Sequence, residues 1–332
     1  MASNFEAQRM ISQLDMFGEV APTSREPGEV KSSRTRTVAP TASPEDMVRT
    51  LEESGNYRIL RKLPARKIIP CRRPEFPLVG VIVDTETTGL NHKTDEIIEI
   101  GAIAFSFDDR GNIGELLGVY GGLQQPGGPI PAEVTRITGI TDGMVEGQAI
   151  DLAALRSLIE PVDLIIAHNA GFDRPFCERF SNVFANKAWA CSVREIDWSA
   201  RGFEGTKLGY LVGQAGFFHE GHRAVDDCFA LLEILERSGG QEGRPFAELL
   251  RTSRQSRVRI FAEHSPFDMK EHLKARGYRW SDGSDGRPKS WWIEVDEDAL
   301  ADELAYLRAE IYRWDDADPP TQYLTALDRY RA

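Results

Sequence analysis

Residues 78–90 read LVGVIVDTETTGL, and this stretch decides the fold of the chain. Its first six residues are apolar apart from one glycine and are mostly β-branched, which predicts a buried central strand. Asp84 and Glu86 follow, and side chains two residues apart lie on the same face of a strand. The sequence therefore predicts two neighbouring carboxylates at the end of a buried strand.

Two carboxylates in this position have two interpretations. They repel each other unless a cation lies between them, and oxygen ligands suit Mg²⁺ or Mn²⁺ better than zinc. Alternatively, the acids belong to an ordinary polar turn, in which Asp is common, with Gly89 as the residue that breaks the strand. The pair alone does not decide between a metal site and a turn, so the rest of the chain is needed.

Composition bounds the class of protein. A length of 332 residues allows one sizeable domain and a smaller one, at about 100–200 residues per domain. The net charge of −12 argues against a bulk nucleic-acid coat, so contacts to nucleic acid must come from local basic patches. The four cysteines show no paired spacing, the first residues carry no secretory pattern, and no apolar run is long enough to cross a bilayer. We therefore expect an intracellular protein with no membrane segment.

The amino-terminal part of the chain divides into a tail and a basic segment. Residues 1–45 are rich in Ser, Thr, Pro, Glu and Arg and poor in apolar residues after Phe17, which predicts a disordered tail. Residues 46–75 contain a predicted helix and then a run of basic residues without an acid among them. The run consists of Arg58, Arg61, Lys62, Arg66, Lys67, Arg72 and Arg73. It is either an arm that faces phosphates or a solvated surface segment.

The rest of the chain divides into a large domain and a small module. In residues 76–238, strands come first and then helices alternate with strands, which predicts an α/β domain with a mixed sheet flanked by helices. Residues 239–250 are a predicted linker, because glycines cluster at their start. Residues 251–332 are a predicted small α+β module.

The carboxy-terminal module holds most of the tryptophans, interleaved with basic residues such as Arg279, Arg287 and Lys289. The tryptophans in question are Trp280, Trp291, Trp292 and Trp314. They either form a stacking platform for single-stranded DNA or build the core of a small domain. One exposed tryptophan beside the basic residues would be compatible with both interpretations.

The amino-terminal tail contains a short peptide with three apolar anchors, Gln13-Leu14-Asp15-Met16-Phe17. This peptide resembles the motif by which bacterial replication and repair proteins dock on the β sliding clamp of DNA polymerase III, although Leu is usual in place of Met16. A flexible peptide of this kind can fill a preformed apolar pocket, with Gln13 fixing its orientation. Alternatively, Met10, Leu14 and Phe17 form one stripe of a short amphipathic helix.

Three segments carry acids at the ends of predicted strands or helices: DTETTGL, HNAGFDRPF and HRAVDD. In this order and at these separations they resemble the three motifs of the DEDDh 3′–5′ exonucleases, which include the DnaQ-like proofreading epsilon subunit of bacterial DNA polymerase III. The resemblance covers roughly residues 77–237. It is to the His subclass, because His222 lies five residues before Asp227, whereas the Tyr subclass would need Tyr in place of Arg223.

The resemblance implies a ribonuclease H-like fold and a metal-dependent exonuclease that releases nucleoside monophosphates from single-stranded DNA 3′ ends. It implies that two Mg²⁺ or Mn²⁺ ions are held by Asp84, Glu86, Asp173 and Asp227. Asp84 would bridge the ions, and His222 would act as general base. The expected contacts to the 3′-terminal nucleotide are Thr87, Thr88, Gly89 and Leu90.

Other functions remain compatible with these motifs. One alternative is an RNA 3′–5′ exonuclease, and the clamp-like peptide is the feature that favours DNA. Another is a non-catalytic adapter that holds DNA at the clamp. The complete set of four acids and a histidine argues against this alternative. Asp226 is the rival to Asp227 but is one residue away from the family spacing. The expected setting is replication or repair in the bacterial cytoplasm, at the nucleoid.

Overall fold

The computed structural model describes residues 43–237, 243–284 and 286–331, and the predicted clamp-binding peptide lies outside them. Two units are distinguished along the chain, with a boundary between Arg58 and Ile59, and each is described by itself. The described part of the first unit contains helix α1, Pro44–Glu53. This helix has proline at its first position and begins after Ser43, whose hydroxyl accepts a hydrogen bond from the Asp46 N–H.

The second unit contains the remaining elements. The described strands are β1 Arg61–Lys62, β2 Leu78–Thr87, β3 Ile97–Phe107, β4 Ile113–Leu123, β5 Leu164–Ala167, β6 Trp189–Cys191, β7 Phe217–Phe218, β8 Arg257–Ala262, β9 Arg279–Trp280, β10 Trp291–Asp296 and β11 Thr321–Leu324. The described α-helices are α2 Ala132–Thr138, α3 Asp142–Val145, α4 Leu152–Ile159, α5 Ala170–Phe180, α6 Leu208–Gln214, α7 Ala224–Glu236, α8 Pro245–Arg254, α9 Lys270–Ala275 and α10 Leu300–Tyr306. A π-helical segment, Leu307–Tyr312, continues α10.

The large sheet has five strands in the order β4–β3–β2–β5–β6. Strand β2 pairs antiparallel with β3 and parallel with β5, and β5 pairs parallel with β6. Ile82 faces one core cluster, which includes side chains of α7 and α8, and Val81 and Val83 face a second, which includes side chains of α4 and α5. Because both faces of β2 are covered, the strand is apolar in sequence rather than alternating. The predicted mixed α/β sheet flanked by helices is confirmed.

Residues Pro245–Arg254, which overlap the predicted linker, form helix α8. Phe246, Leu249 and Leu250 are buried in the core of the large sheet, where the Phe246 ring meets Phe105 edge-on. The glycines that suggested a linker precede this helix, and proline at its first position suits a helix start. The carboxy-terminal module therefore follows a helix that belongs to the core of the large sheet.

A second sheet forms the carboxy-terminal module, with four antiparallel strands in the order β11–β8–β10–β9. One face packs against α9, α10 and the π-helical segment through a core that includes Val258, Ile260 and Leu273. Trp291 and Ile293 pack against this core, so the alternate residue Trp292 lies on the opposite face. Trp280 is half exposed. Trp291 thus supports the core, whereas Trp292 lies among the basic residues of the opposite face.

Part of the predicted basic segment is used inside the fold. Strand β1 pairs with β7, and Leu63 packs against the core of the large sheet. Arg66 forms ion pairs with Glu233 at 2.7 Å and with Glu236 at 2.6 Å. These contacts attach the segment to helix α7 and leave Arg66 with acidic partners on the protein itself. Over the part of the chain that the structure describes, no helix combines the length and apolar character needed to span a bilayer.

Candidate metal centre and active site

Strand β2 carries the first two acids as its sequence predicts. Asp84 and Glu86 are partly exposed and alternate with the buried residues Thr85 and Thr87. The two carboxylates therefore lie on the same face of the strand, at its carboxyl end. The pairing of β2 with β3 shifts register just after Glu86, so the regular strand ends where the site begins.

Helix α7 brings the third acid, Asp227, to this face, and Gly101 on β3 makes the approach possible. Gly101 pairs directly with Asp84 in the sheet. A Cβ atom on Gly101 would lie 2.3 Å from the carbonyl carbon of Ala224 and 2.5 Å from the nitrogen of Val225. The start of α7 therefore rests on the backbone of β3, which only glycine permits at this distance. The only signal of Gly101 in the sequence is that it is an isolated glycine within a strand, which can mark a close backbone approach.

Asp84, Glu86 and Asp227 form a group whose oxygen atoms lie within 4.8 Å of one another. Asp173 is not in this group. It sits in the first turn of α5, and its Oδ1 accepts hydrogen bonds from the Thr85 N–H at 3.1 Å and the Thr85 hydroxyl at 2.9 Å. Of the four predicted acids, three are thus brought together directly, and the fourth is tied to the same strand through the residue between Asp84 and Glu86.

The electrostatics of this cluster favour a bound cation. Removal from water, followed by repulsion from Asp173, Asp227 and Glu86, holds the pKa of Asp84 well above its ordinary value. Burial and the neighbouring acids raise the pKa of Glu86 to about 8, and burial raises that of Asp173 to about 7. Without a positive partner the carboxylates resist ionisation, and a divalent ion with all-oxygen ligands would remove that penalty. The donor set therefore fits Mg²⁺ or Mn²⁺.

Two histidines precede Asp227 in the chain, and the structure places them differently. His222 is exposed and has a left-handed backbone, with φ of 65°. It lies in the loop that precedes α7, two residues before the helix begins. His219 is largely buried, and its Nε2 lies 2.9 Å from Asp227 Oδ1. The other oxygen of Asp227 accepts a hydrogen bond from the Arg223 N–H at 3.1 Å. His219 was left unassigned from the sequence, where its only signal is its position three residues before His222.

Glu99 fixes the start of helix α7 from the neighbouring strand. Its carboxylate accepts hydrogen bonds from Arg223 Nη2 at 2.8 Å and from the Ala224 N–H at 3.0 Å. The Glu99 side chain is buried, with only 5% of its surface exposed. Asp226, the rival to Asp227, is exposed and is not part of the acidic group. The anchor at Glu99 thus sets which of the two adjacent acids faces β2.

The predicted nucleotide-binding residues form a structured turn after β2. The Thr87 hydroxyl donates to the Gly89 carbonyl at 2.6 Å, and the Thr88 N–H donates to the Glu96 carbonyl at 2.8 Å. Leu90 is 82% exposed. The turn therefore presents an apolar side chain to solvent beside the carboxylates.

His168, at the end of β5, holds two loops together near the site. Its Nδ1 lies 2.8 Å from the Ser192 hydroxyl, and its Nε2 lies 2.6 Å from the Thr206 carbonyl. Burial lowers the pKa of His168, which favours its neutral form. These contacts order the loops that follow β5 and β6.

Comparison with a solved structure gives a partial match. The zinc-bound complex of E. coli exonuclease I with single-stranded DNA aligns at 15% identity and a TM-score of 0.47. The alignment covers 70% of this chain and 71% of that one.

Comparison with protein families and curated proteins is more specific. A family model described as an exonuclease of the RNase T type matches residues 81–235. The DNA polymerase III subunit epsilon of Treponema pallidum is 33% identical over 162 residues, which cover 46% of this chain and 72% of that protein. The PolC-type DNA polymerase III of Clostridium perfringens is 34% identical over 165 residues, which cover 48% of this chain but only 11% of that protein. The chain thus spans a small part of the PolC-type relatives and most of the epsilon subunit, and it belongs to the DnaQ-like exonuclease family.

Proposed function

We propose that this protein is a metal-dependent 3′–5′ exonuclease that removes nucleoside monophosphates from the 3′ ends of single-stranded DNA. The observation that supports this best is the group formed by Asp84, Glu86 and Asp227, with oxygen atoms within 4.8 Å of one another, in a member of an exonuclease family. DNA is favoured over RNA because the relatives at hand are named as parts of DNA polymerase III.

The residues that would hold two Mg²⁺ or Mn²⁺ ions are Asp84, Glu86, Asp173 and Asp227. When bound, the ions would stabilise negative charge on the attacking and leaving oxygens of the phosphodiester. The raised pKa values of Asp84, Glu86 and Asp173 mean that the site gives up protons when it is loaded. Asp173 is pre-oriented by its two hydrogen bonds from Thr85, so it needs little rearrangement to contribute.

His222 is the proposed general base. A neutral imidazole can take the proton of an attacking water near neutral pH, and an exposed side chain can reach a substrate that enters from solvent. Gly221 precedes it, and glycine permits a wider range of backbone angles than other residues, which would let the loop bring the ring inward when substrate is bound. His219 has a different part, since its hydrogen bond to Oδ1 of Asp227, together with that of the Arg223 N–H to Oδ2, orients the carboxylate, and each oxygen keeps a lone pair for a metal.

The turn after β2 is proposed to hold the 3′-terminal nucleotide. The contacts would come from Thr87, Thr88, Gly89 and Leu90. The exposed Leu90 side chain offers apolar surface to a base, and the backbone of the turn offers hydrogen bonds to the sugar and phosphate. Neither kind of contact depends on which base is present, which suits an enzyme that removes every nucleotide in turn.

The amino-terminal peptide Gln13–Phe17 is proposed to tether the enzyme to the β sliding clamp of DNA polymerase III. This would place the enzyme at the nucleoid in the bacterial cytoplasm, in replication or repair. A pull-down with purified clamp should capture the full chain and lose it when Leu14–Phe17 is deleted. Capture that survives the deletion would contradict this part of the proposal.

The function is tested with 5′-labelled DNA and RNA of the same sequence, incubated with the full chain and Mg²⁺ and then with EDTA. We expect a ladder that shortens from the 3′ end on DNA, release of nucleoside monophosphates and complete arrest by EDTA. Faster loss of RNA than of DNA would replace the proposal with an RNA exonuclease. Binding of DNA without any cleavage would replace it with an adapter.

A further inference from the structure

One face of the carboxy-terminal sheet carries arginines instead of apolar residues. Val258 and Ile260 on β8 point into the core, so Arg257 and Arg259 lie on the other face. Trp292 lies on that same face, and Arg279 is its direct partner across strands β9 and β10. We call this surface, together with Arg287 from the preceding turn, the arginine face.

Trp292 organises the arginine face by stacking. The guanidinium carbons of Arg259, Arg279 and Arg287 lie 5.1, 5.6 and 4.7 Å from the centre of its ring system. Cation–π contacts hold guanidinium groups in fixed orientations without neutralising their charge. The donors of these side chains are thus partly ordered before any ligand arrives, which lowers the entropy cost of binding an anion.

The charge of this face contrasts with the rest of the chain. A cavity of about 280 Å³ opens between the arginine face and the loop after β6, and its lining includes Arg194, Arg257, Arg279 and Trp292. Two carboxylates offset part of this charge: Glu294 lies 2.6 Å from Arg259, and Asp296 lies 3.6 Å from Arg257.

After these two ion pairs, the cavity keeps an excess of positive charge, to which Arg194 and the exposed Arg279 contribute. In a protein with a net charge of −12, a local excess of arginine is a selective surface for a polyanion.

The position of the cavity relates it to the metal centre. Strands β2, β5 and β6 are parallel, so their carboxyl ends lie at the same edge of the large sheet. Asp84 and Glu86 are at this end of β2, and Arg194 follows the same end of β6, two strands away. At about 4.8 Å between neighbouring strands, the two ends are on the order of 10 Å apart. A nucleic-acid strand with its 3′ end at the carboxylates and its upstream part along this edge would run towards Arg194, which lines the cavity.

We propose that the arginine face binds the single-stranded DNA upstream of the 3′ end, through its phosphates. This proposal rests on the proposed exonuclease function and adds to it a second contact that holds the substrate between cleavage steps. Guanidinium groups match phosphate oxygens in geometry, and several stacked on one aromatic residue form a row rather than a single-ion site. The cavity is also too open and too basic for an apolar ligand, which agrees with a charged strand as its occupant.

The test measures binding of a fluorescein-labelled fifteen-nucleotide thymidine oligomer to the full chain in EDTA, so that no cleavage occurs. Arg279→Ala should weaken binding several-fold and reduce the slope of log K against log salt by about 0.7, the value for one phosphate contact on a single strand. Trp292→Leu should also weaken binding, because the guanidiniums lose the surface that orders them. Lys274→Ala is the matched control, since it removes one positive charge from α9, on the other side of the same sheet.

Equal affinity and equal salt slope for the parent, Arg279→Ala and Trp292→Leu proteins would overturn the proposal. Displacement of the oligomer by a fifteen-residue glutamate peptide, at the same concentration as unlabelled oligomer, would overturn it in favour of an acidic protein partner. Circular dichroism checks the folding of Trp292→Leu, and Arg279 is exposed, so its truncation leaves the core intact. Because binding is measured without catalysis, a protein that cuts no DNA but responds to Arg279→Ala would refute the exonuclease function and retain the arginine face.

Discussion

The two sheets of the Ile59–Ala332 unit carry charge in opposite ways. At the carboxyl end of β2, the acids are crowded and partly buried, and the pKa of Glu86 is raised to about 8. On the arginine face, Arg279 is exposed, and Arg259 combines a stack on Trp292 with an ion pair to Glu294. The negative charges are thus concentrated at the end of β2, where burial and mutual repulsion make ionisation unfavourable. The positive charges of the arginine face lie where water still solvates them.

This difference determines how strongly the stability of each surface depends on a bound ligand. A carboxylate cluster without a cation destabilises the fold, because every added ionisation is opposed by burial and by the neighbouring acids. An exposed arginine costs little when no anion is bound, because water solvates it. We therefore expect the metal centre to couple binding to stability strongly and the arginine face to do so weakly.

The most severe way to break the metal centre is Asp84→Asn. It removes the acid at the middle of the cluster, so we expect the rate of DNA hydrolysis to fall by at least about 10³-fold, which corresponds to about 4 kcal/mol of transition-state stabilisation. In EDTA the same variant should be more stable than the parent by about 1 kcal/mol or more, because one source of repulsion is gone. Nuclease assays and thermal unfolding in EDTA measure the two effects.

Glu133→Gln is the matched control for Asp84→Asn, since Glu133 is an exposed acid in the first turn of α2. It should change neither the rate nor the stability appreciably. An Asp84→Asn protein that keeps the parent rate, or that unfolds at a lower temperature than the parent in EDTA, would show that Asp84 is not part of a strained metal site.

Substitutions of His222 and His219 test two different roles, proton transfer in the chemical step and orientation of a metal ligand. His222→Ala should lower the maximal rate by about 10²–10⁴-fold, as expected for loss of a general base, while leaving metal affinity near that of the parent. His219→Ala should lower Mn²⁺ affinity by about 10–100-fold, because Asp227 loses the hydrogen bond that orients it. Titration calorimetry with Mn²⁺ and rates at saturating metal distinguish the variants. The reverse pattern would exchange the two roles.

Local sequence is sufficient for the parts of the site that one strand determines. The apolar run 78–83 predicts the buried strand, and strand alternation places Asp84 and Glu86 on one face, which the structure confirms. Gly101 and Glu99 could not be assigned in this way. Their importance comes from contacts between β3 and the start of α7, which are more than 120 residues apart in the chain. A single sequence does not reveal which distant backbone will approach a glycine.

The carboxy-terminal sheet shows a different limit. Strand β8 begins with alternating basic and apolar residues, in the sequence RVRIFA, and this alternation is too short to identify a strand by itself. The aromatic and basic residues of the module were visible in the sequence, whereas the pairing register that places Arg279 beside Trp292 was not. Register depends on which strands become neighbours, and here the order β11–β8–β10–β9 does not follow chain order.

The smallest expected effect is the pH dependence of stability without metal. Glu86 has its pKa raised from 4.5 to about 8, so between these values the folded protein binds more protons than the unfolded chain. The free energy of unfolding then decreases as pH rises, by the linkage between proton binding and folding. We expect a loss on the order of 1–3 kcal/mol between about pH 5 and pH 8 in EDTA, measured by thermal unfolding.

Mg²⁺ should remove most of this decrease, because the ion takes the place of the protons on the carboxylates. Glu86→Gln supplies the control: it cannot ionise, so its stability in EDTA should fall less steeply over the same pH range. A parent protein whose stability is flat, or rises, from about pH 5 to pH 8 in EDTA would mean that the acids at the end of β2 are not strained. The contrast between the two sheets would then be one of charge sign alone.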